Sequence, residues 1–176
     1  PAPGTAYSPG FCVPAAHEEE IGVLIGRRES PICVWAPKRF GKTWFLNRVV
    51  QITAAKAPGT RVARVVLDLG SSKRQQAVPA ARFCRNVLEV LARALGNGDP
   101  AGAVAARWDE NASPVDNLRD VLEGLLREDP DGDRILLVMD DVDRIHGWDF
   151  AEDFLFALRL FHELAAQEPA WERLTV

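Results

Sequence analysis

The sequence predicts an α/β fold in which a mostly parallel β-sheet lies between two layers of helices. Three short apolar runs, at residues 32–35, 62–69 and 134–140, have the length and β-branched content of strands. The last run is continuously apolar, as expected of a strand covered on both faces. Helix-length segments separate the runs, and such alternation predicts a parallel sheet that binds ligands at the carboxyl ends of its strands.

Turn and capping residues set the boundaries of the remaining elements. Gly96 ends one helix before a predicted loop at residues 96–102, whereas Ser113 can cap the next helix and Pro114 suits its first position. The predicted order is a strand at 32–35, a helix at 42–56, a strand at 62–69, helices at 79–95 and 114–128, a strand at 134–140, a helix at 149–167 and a strand that begins at 174.

The amino-terminal segment has a different composition from the rest. Residues 1–16 are rich in proline, which predicts an extended strap, and a short helix is expected from Glu18 to near Gly26. We therefore assign residues 1–29 as a strap and short helix that belong to the same domain as the core, residues 30–176.

Length and charge limit the classes of function. The 176 residues suit one domain, and 47% hydrophobic residues are typical of a globular protein. The net charge of -4 disfavours nucleic acid as a direct ligand. No apolar run approaches the roughly 18–20 residues of a membrane span. We therefore expect no membrane partner. Because the amino end lacks the charged start and apolar stretch of a secretory signal, and the three cysteines are widely spaced and odd in number, we expect a reduced, cytoplasmic protein.

The residues after the first predicted strand match the motif G-x-x-x-x-G-K-[ST] at every position but the first, where alanine replaces glycine. They are Ala36, Pro37, Lys38, Arg39, Phe40, Gly41, Lys42 and Thr43. Such a loop directs backbone N–H groups and a helix amino terminus at phosphate. Lys42 is expected between the β- and γ-phosphates, and Thr43 on Mg²⁺. The predicted fold is therefore a P-loop NTPase sandwich of three layers, with ATP or ADP and Mg²⁺ as ligands.

Acidic residues follow the strand at residues 134–140. Asp140 is predicted to hold Mg²⁺ through water. Asp141 takes the place at which many ATPases carry a glutamate that activates water, and aspartate is one methylene shorter. Because a misplacement of about 1 Å can cost on the order of a hundredfold in rate, we predict slow hydrolysis with Asp141 as the catalytic residue. A solvated turn of Asp140, Asp141 and Asp143 is the alternative, which the upstream loop motif disfavours.

With these motifs the chain resembles the AAA-like P-loop ATPases of bacteria, which are related to the signalling STAND ATPases. The resemblance covers nearly the whole chain, and the two nucleotide motifs are its specific part. The second of these motifs is Met139-Asp140-Asp141-Val142-Asp143-Arg144. Weaker similarities are Val13-Pro14 before an acidic helix, Leu158-Arg159 with His162, and Trp171-Glu172-Arg173-Leu174. The chain departs from the family at Ala15, where arginine is frequent, and at Asp141, where glutamate is usual.

The resemblance implies elements beyond those of this chain. In such ATPases the strand after the acidic motif inserts between the loop strand and the acidic strand, and it carries a polar sensor residue. A further strand, an arginine finger and a helical lid follow. Since the corresponding strand has only begun at Val176, the resemblance implies a sheet that is incomplete after it, and a chain that is the front part of a longer ATPase.

The function implied is an ATP-binding, slowly hydrolysing regulatory switch of a larger bacterial signalling or defence protein. Its partners would be nucleotide and the attached effector or sensor domains, and a homo-oligomer is left open. One alternative is a P-loop small-molecule kinase, which would need a basic lid where residues 149–167 are acidic and apolar. The other is a degenerate, nucleotide-independent interaction module, which Ala36 and Asp141 favour.

Overall fold

Two units make up the chain in a computed structural model, one of Pro1–Thr60 and one of Arg61–Val176. The residues that the structure describes are 20, 21, 23, 25, 32–34, 40–56, 59–66, 79–128 and 133–176. None of the helices within these residues has both the length and the apolar character that crossing a bilayer requires.

The first unit contains helix α1, Lys42–Lys56, which has the predicted boundaries. Lys56 lies in its last turn, where a cation complements the negative end of the helix dipole. Residues 20, 21, 23 and 25 are helical, in agreement with the short helix predicted from Glu18. The strand predicted at residues 32–35 is not found over its described part, residues 32–34. A strand forms only where its backbone groups pair with a neighbour, which a short apolar run cannot guarantee.

The second unit is built on a three-stranded parallel sheet with the order β1-β2-β3. The strands are β1, Thr60–Val66, β2, Arg134–Asp140, and β3, Leu174–Thr175. In the pairing of β2 with β3, Ile135 lies opposite Leu174. Residues 135–138 are all buried, and since consecutive side chains of a strand point to opposite faces, both faces of β2 are covered. This arrangement confirms the predicted α/β class and the position of the strand after the acidic motif, beside β2.

Two amphipathic helices form the largest part of the core. Helix α2, Ala80–Ala94, packs against α4, Pro114–Arg127. Their facing stripes recur every three or four residues, as burial of one helical face requires. The fully buried members are Cys84, Val87, Leu88, Leu91, Ala92, Leu118, Leu122 and Leu126. Both helices agree with prediction to within a residue or two at each end.

Helix α5, Ala151–Gln167, connects this core to the last strand. It packs against α4, against the 3₁₀ turn Trp171–Arg173 and against β3. The rings of Phe161 and Trp171 lie 5.0 Å apart between centroids, and both side chains are buried. This contact holds the 3₁₀ turn in place directly before β3, which pairs with β2.

The loop predicted at residues 96–102 is only partly a loop. Helix α3, Pro100–Ala105, begins within it and packs against α2. Asp99 is its N-cap, and a carboxylate oxygen of Asp99 accepts a hydrogen bond from the Gly102 N–H at 3.0 Å. The sequence prediction overlooked that Asp followed by Pro is a helix start, because aspartate caps and proline suits the first helical position.

Asn117 holds the connection between α3 and α4. Its side chain is buried, its amide oxygen accepts from the Asp109 N–H at 2.7 Å, and its amide nitrogen donates to the Asp109 carbonyl at 2.7 Å and the Ser113 carbonyl at 3.2 Å. One side chain thus satisfies backbone groups on both sides of a tight loop.

We expect Asn117→Leu, which keeps the volume but removes these hydrogen bonds, to lower the free energy of unfolding by about 2–3 kcal/mol, because buried backbone groups lose their partners. Urea unfolding followed by circular dichroism measures the change. Asn111→Ala is the matched control, since Asn111 is an exposed asparagine of the same loop, and a loss of less than about 0.5 kcal/mol is expected there. Equal losses in the two variants would contradict this role of Asn117.

Cys84 lies in the centre of α2 with no exposed surface. Burial raises the pKa of its thiol from 9.0 to about 12, because the thiolate would be desolvated. The folded state therefore binds this proton more tightly than the unfolded state does. Its contribution to stability is complete below pH 9 and is lost as the pH rises towards 12.

We expect the stability advantage of the wild type over Cys84→Ala to shrink by about 1.4 kcal/mol between pH 8 and pH 10, the range in which the unfolded thiol ionises. Comparing the two proteins cancels the titration of every other group. Denaturant unfolding at the two pH values gives the difference. A constant difference would show that the thiol ionises equally in both states.

Candidate functional site

The turn before α1 is formed by Gly41. Its φ of 84° is in the left-handed region that favours glycine, and a Cβ built there would meet no atom within 4 Å. Glycine is therefore required by backbone conformation and not by crowding. The Phe45 N–H donates to the Gly41 carbonyl at 2.9 Å, which closes the first turn of the helix. No acidic side chain lies in that turn, so the positive end of the helix dipole is not neutralised there by a carboxylate of the helix.

Four of the eight predicted loop residues can be placed. Lys42 is half-buried, Thr43 is exposed, and Phe40 is 76% exposed. A glycine in the left-handed conformation followed directly by a lysine and a hydroxyl in the first helical turn is the local arrangement that the motif predicts. The other four, Ala36, Pro37, Lys38 and Arg39, lie outside the described residues.

In the second unit, Asp140 ends β2 and is 4% exposed. It lies on the same face of the strand as Leu136 and Val138, because alternate side chains share a face. One carboxylate oxygen accepts from the Asp141 N–H at 3.0 Å, and the other lies 3.4 Å from a guanidinium nitrogen of Arg64 on β1. A buried carboxylate is costly unless charged or polar groups compensate it, and Arg64 supplies the opposite charge.

Asp141 has an unusual backbone. Its φ of 60° and ψ of 34° make it the one non-glycine residue with positive φ among those that the structure describes. Aspartate and asparagine tolerate this conformation better than other residues, and strained positions cluster at functional sites. A carboxylate oxygen of Asp141 lies 3.1 Å from a guanidinium nitrogen of Arg144, one turn later.

Aromatic packing holds the segment that follows Asp141. The 3₁₀ turn Val142–Ile145 leads to an aromatic pair, Trp148 and Phe150, whose ring centroids lie 5.6 and 5.3 Å from that of Phe83 on α2. Ile145 within the turn is fully buried. The position of Asp141 is therefore set by a core contact and not by a freely moving loop.

The acidic cluster thus separates into three environments. Asp140 is buried, Asp141 is half-buried and paired with Arg144, and Asp143 is exposed. A solvated turn, the alternative interpretation of the sequence, describes Asp143 but not Asp140. Asp140 is instead a buried carboxylate at a strand end, and it forms an ion pair with Arg64.

A carboxylate is an oxygen ligand of the kind that Mg²⁺ prefers. No group of three His, Cys, Asp or Glu side chains that could enclose an ion occurs in the described part of the chain. Mg²⁺ binds through one or two carboxylates and keeps water and phosphate oxygens as its other ligands. Asp140, with two oxygens and few polar contacts, fits this requirement.

The sequence prediction did not single out Arg64. Its signal was present, because arginine at position 64 interrupts the apolar residues Ala63 and Val65 of a buried strand. A charged side chain in such a strand needs a partner of opposite sign. What the sequence did not show is that the partner would be Asp140, which is 76 residues away.

Comparison with known proteins gives one match. The family model of the AAA-like domain covers residues 6–176 of the chain. The chain belongs to the AAA-like family. An AAA-like domain has a nucleotide-binding, ATPase-like fold, so the family resemblance seen in the sequence is confirmed, and nucleotide is the general ligand class. Neither the curated proteins nor the solved structures gave a match.

Proposed function

We propose that this AAA-like domain binds Mg-ATP or Mg-ADP and serves as a slowly hydrolysing switch of a larger bacterial signalling or defence protein. The observation that carries the proposal is the buried Asp140 carboxylate at the end of β2, followed directly by the left-handed Asp141. Family membership supplies the ligand class, and the strand-end carboxylate supplies the chemistry for a metal-bound phosphate.

The phosphate-binding role belongs to the start of α1 in this proposal. Gly41 permits the backbone turn, the first helical N–H groups donate to phosphate oxygens, and the Lys42 ammonium neutralises their charge. The Thr43 hydroxyl and the Asp140 carboxylate hold Mg²⁺, which supplies charge neutralisation at the phosphates when it is bound. Ala36, Pro37, Lys38 and Arg39 complete the loop.

Slow hydrolysis follows from the state of Asp141, the proposed catalytic residue. A general base must offer its carboxylate to a water, whereas the carboxylate of Asp141 lies 3.1 Å from the Arg144 guanidinium. The ion pair occupies the carboxylate that would have to contact the water, and the side chain is a methylene shorter than that of the usual glutamate. Both effects reduce the rate without affecting nucleotide binding.

A domain that binds nucleotide tightly and turns it over slowly spends long periods in each nucleotide state. Such a domain suits control of attached effector or sensor domains in the cytoplasm, as in the signalling STAND ATPases that the sequence resembles. A homo-oligomer is compatible with this role. The attached domains would then respond to whether ATP or ADP is bound, and not to the products of hydrolysis.

We expect Lys42→Ala to abolish ATP binding, because the ammonium group opposite the phosphates is lost. Thermal melting with increasing Mg-ATP measures binding, since a ligand at about 100 times its Kd stabilises the folded protein by about 2.7 kcal/mol. Lys56→Ala, at the other end of α1, is the control and should be stabilised by Mg-ATP to the same extent as the wild type. If Mg-ATP has no effect on wild-type melting, the degenerate interaction module is the correct function.

We expect Asp141→Asn to reduce ATP hydrolysis by roughly 10²-fold and to leave ATP affinity unchanged, because the amide cannot accept a proton. Asparagine also tolerates the left-handed conformation, so the turn should be preserved. Phosphate release under single-turnover conditions gives the rate. The control is Asp143→Asn, an exposed aspartate two residues away, and a similar fall in that variant would remove the catalytic assignment.

A further inference from the structure

The pair formed by Arg64 and Asp140 connects two neighbouring strands of the sheet. A guanidinium nitrogen of Arg64 on β1 lies 3.4 Å from a carboxylate oxygen of Asp140 on β2. The Asp140 side chain is 5% exposed and that of Arg64 is 32% exposed. The carboxylate is therefore held in the interior, whereas the Arg64 side chain is partly exposed, with its Nε atom buried.

The surroundings of the pair show how far Asp140 depends on Arg64. The other oxygen of the carboxylate accepts from the Asp141 N–H at 3.0 Å, which is a dipole and not a full charge. Among the described residues, Arg64 is the partner in the only ion pair recorded for Asp140. Removing one partner of a buried ion pair leaves an uncompensated charge, which costs more than removing both.

A metal ion and a guanidinium make opposing demands on one carboxylate. The distance of 3.4 Å is at the long end of the hydrogen-bond range, so the attraction is mainly one of charge. A divalent cation at Asp140 would repel the arginine and replace it as the compensating charge. The partly exposed guanidinium can then move towards water while its aliphatic stem stays in place.

We propose that Arg64 is a positioning residue that takes the place of the metal at Asp140: it compensates the carboxylate and fixes its position when Mg²⁺ is absent, and it competes with Mg²⁺ for that carboxylate. The proposal rests on the proposed function, since it assigns Asp140 to the metal. The inference adds two points to that function. The side chain of Arg64 on β1 partly sets the metal affinity of the domain, and metal binding breaks the ion pair between Arg64 and Asp140.

The test compares the ATP dissociation constant in EDTA with that in excess Mg²⁺, by calorimetry, for the wild type and for Arg64→Met. We call the dissociation constant in EDTA divided by that in excess Mg²⁺ the metal factor, so that a larger value means a greater gain in affinity from the metal. Arg64→Met removes the guanidinium that competes with Mg²⁺. Its metal factor should therefore be roughly tenfold higher than that of the wild type, which is within the usual range of coupling between two ligands. Arg64→Lys, which keeps the charge, should stay close to the wild type.

Arg61→Met is the matched control. Arg61 lies on the same strand and forms an ion pair with Asp133 at 2.7 Å, but both of these side chains are 42% exposed. Its substitution should leave the metal factor unchanged. A metal factor that is unchanged or lower in Arg64→Met would overturn the role of Arg64 while leaving nucleotide binding intact. Absence of ATP binding by the wild type under both conditions would remove the proposed function and this inference together.

A second measurement needs no nucleotide. In EDTA, Arg64→Met should unfold at a lower denaturant concentration than the wild type, and the double variant Asp140→Asn with Arg64→Met should recover much of that loss, since no charge remains buried alone. If Arg64→Met does not fold, the double variant is still expected to fold. A double variant no more stable than Arg64→Met would show that Arg64 does not compensate Asp140.

Discussion

A carboxylate buried at the end of a strand has to be compensated, and this requirement shapes the acidic site of the protein. Asp140 cannot be hydrated as a surface aspartate is, because both faces of β2 are covered. Its two oxygens are met by the Asp141 N–H and by Arg64. The first contact requires the chain to turn sharply after the strand, and the second requires an arginine within β1. The left-handed turn is unusual for a non-glycine residue, and an arginine is unusual within a buried strand. Both provide a polar partner for the buried carboxylate of Asp140.

The core explains how the site tolerates these exceptions. The packing of α2 against α4, together with the Phe83 contacts to Trp148 and Phe150, fixes the segment after the strand independently of any ligand. On the other side of β2, Trp171 and Phe161 place β3 in register with Ile135. Apolar burial therefore supplies the stability, and a few polar groups at the carboxyl end of β2 are held in positions that cost free energy.

Most of the second unit could be predicted from local sequence patterns, because periodicity and capping act over a few residues. The stripes of α2 and α4, the Ser113 cap and the continuous apolar run of β2 are signals of this kind. The pairing of Arg64 with Asp140 was not predictable, since it joins residues far apart in the chain and depends on strand order. The left-handed Asp141 was missed for a related reason: a backbone conformation imposed by the packing of the next turn leaves no mark in composition.

The two adjacent aspartates differ in a way that bears on how such a domain would work. Asp140 is buried and compensated by Arg64 of a neighbouring strand, so the proposed metal at Asp140 would act on a side chain of the sheet. Asp141 is paired with Arg144 within the same turn, so its charge is controlled locally. A domain that had to maximise turnover would leave the second carboxylate unpaired and accessible to water. Pairing Asp141 with Arg144 instead favours slow turnover, and the proposed competition at Asp140 would connect metal binding to the side chain of Arg64 on β1.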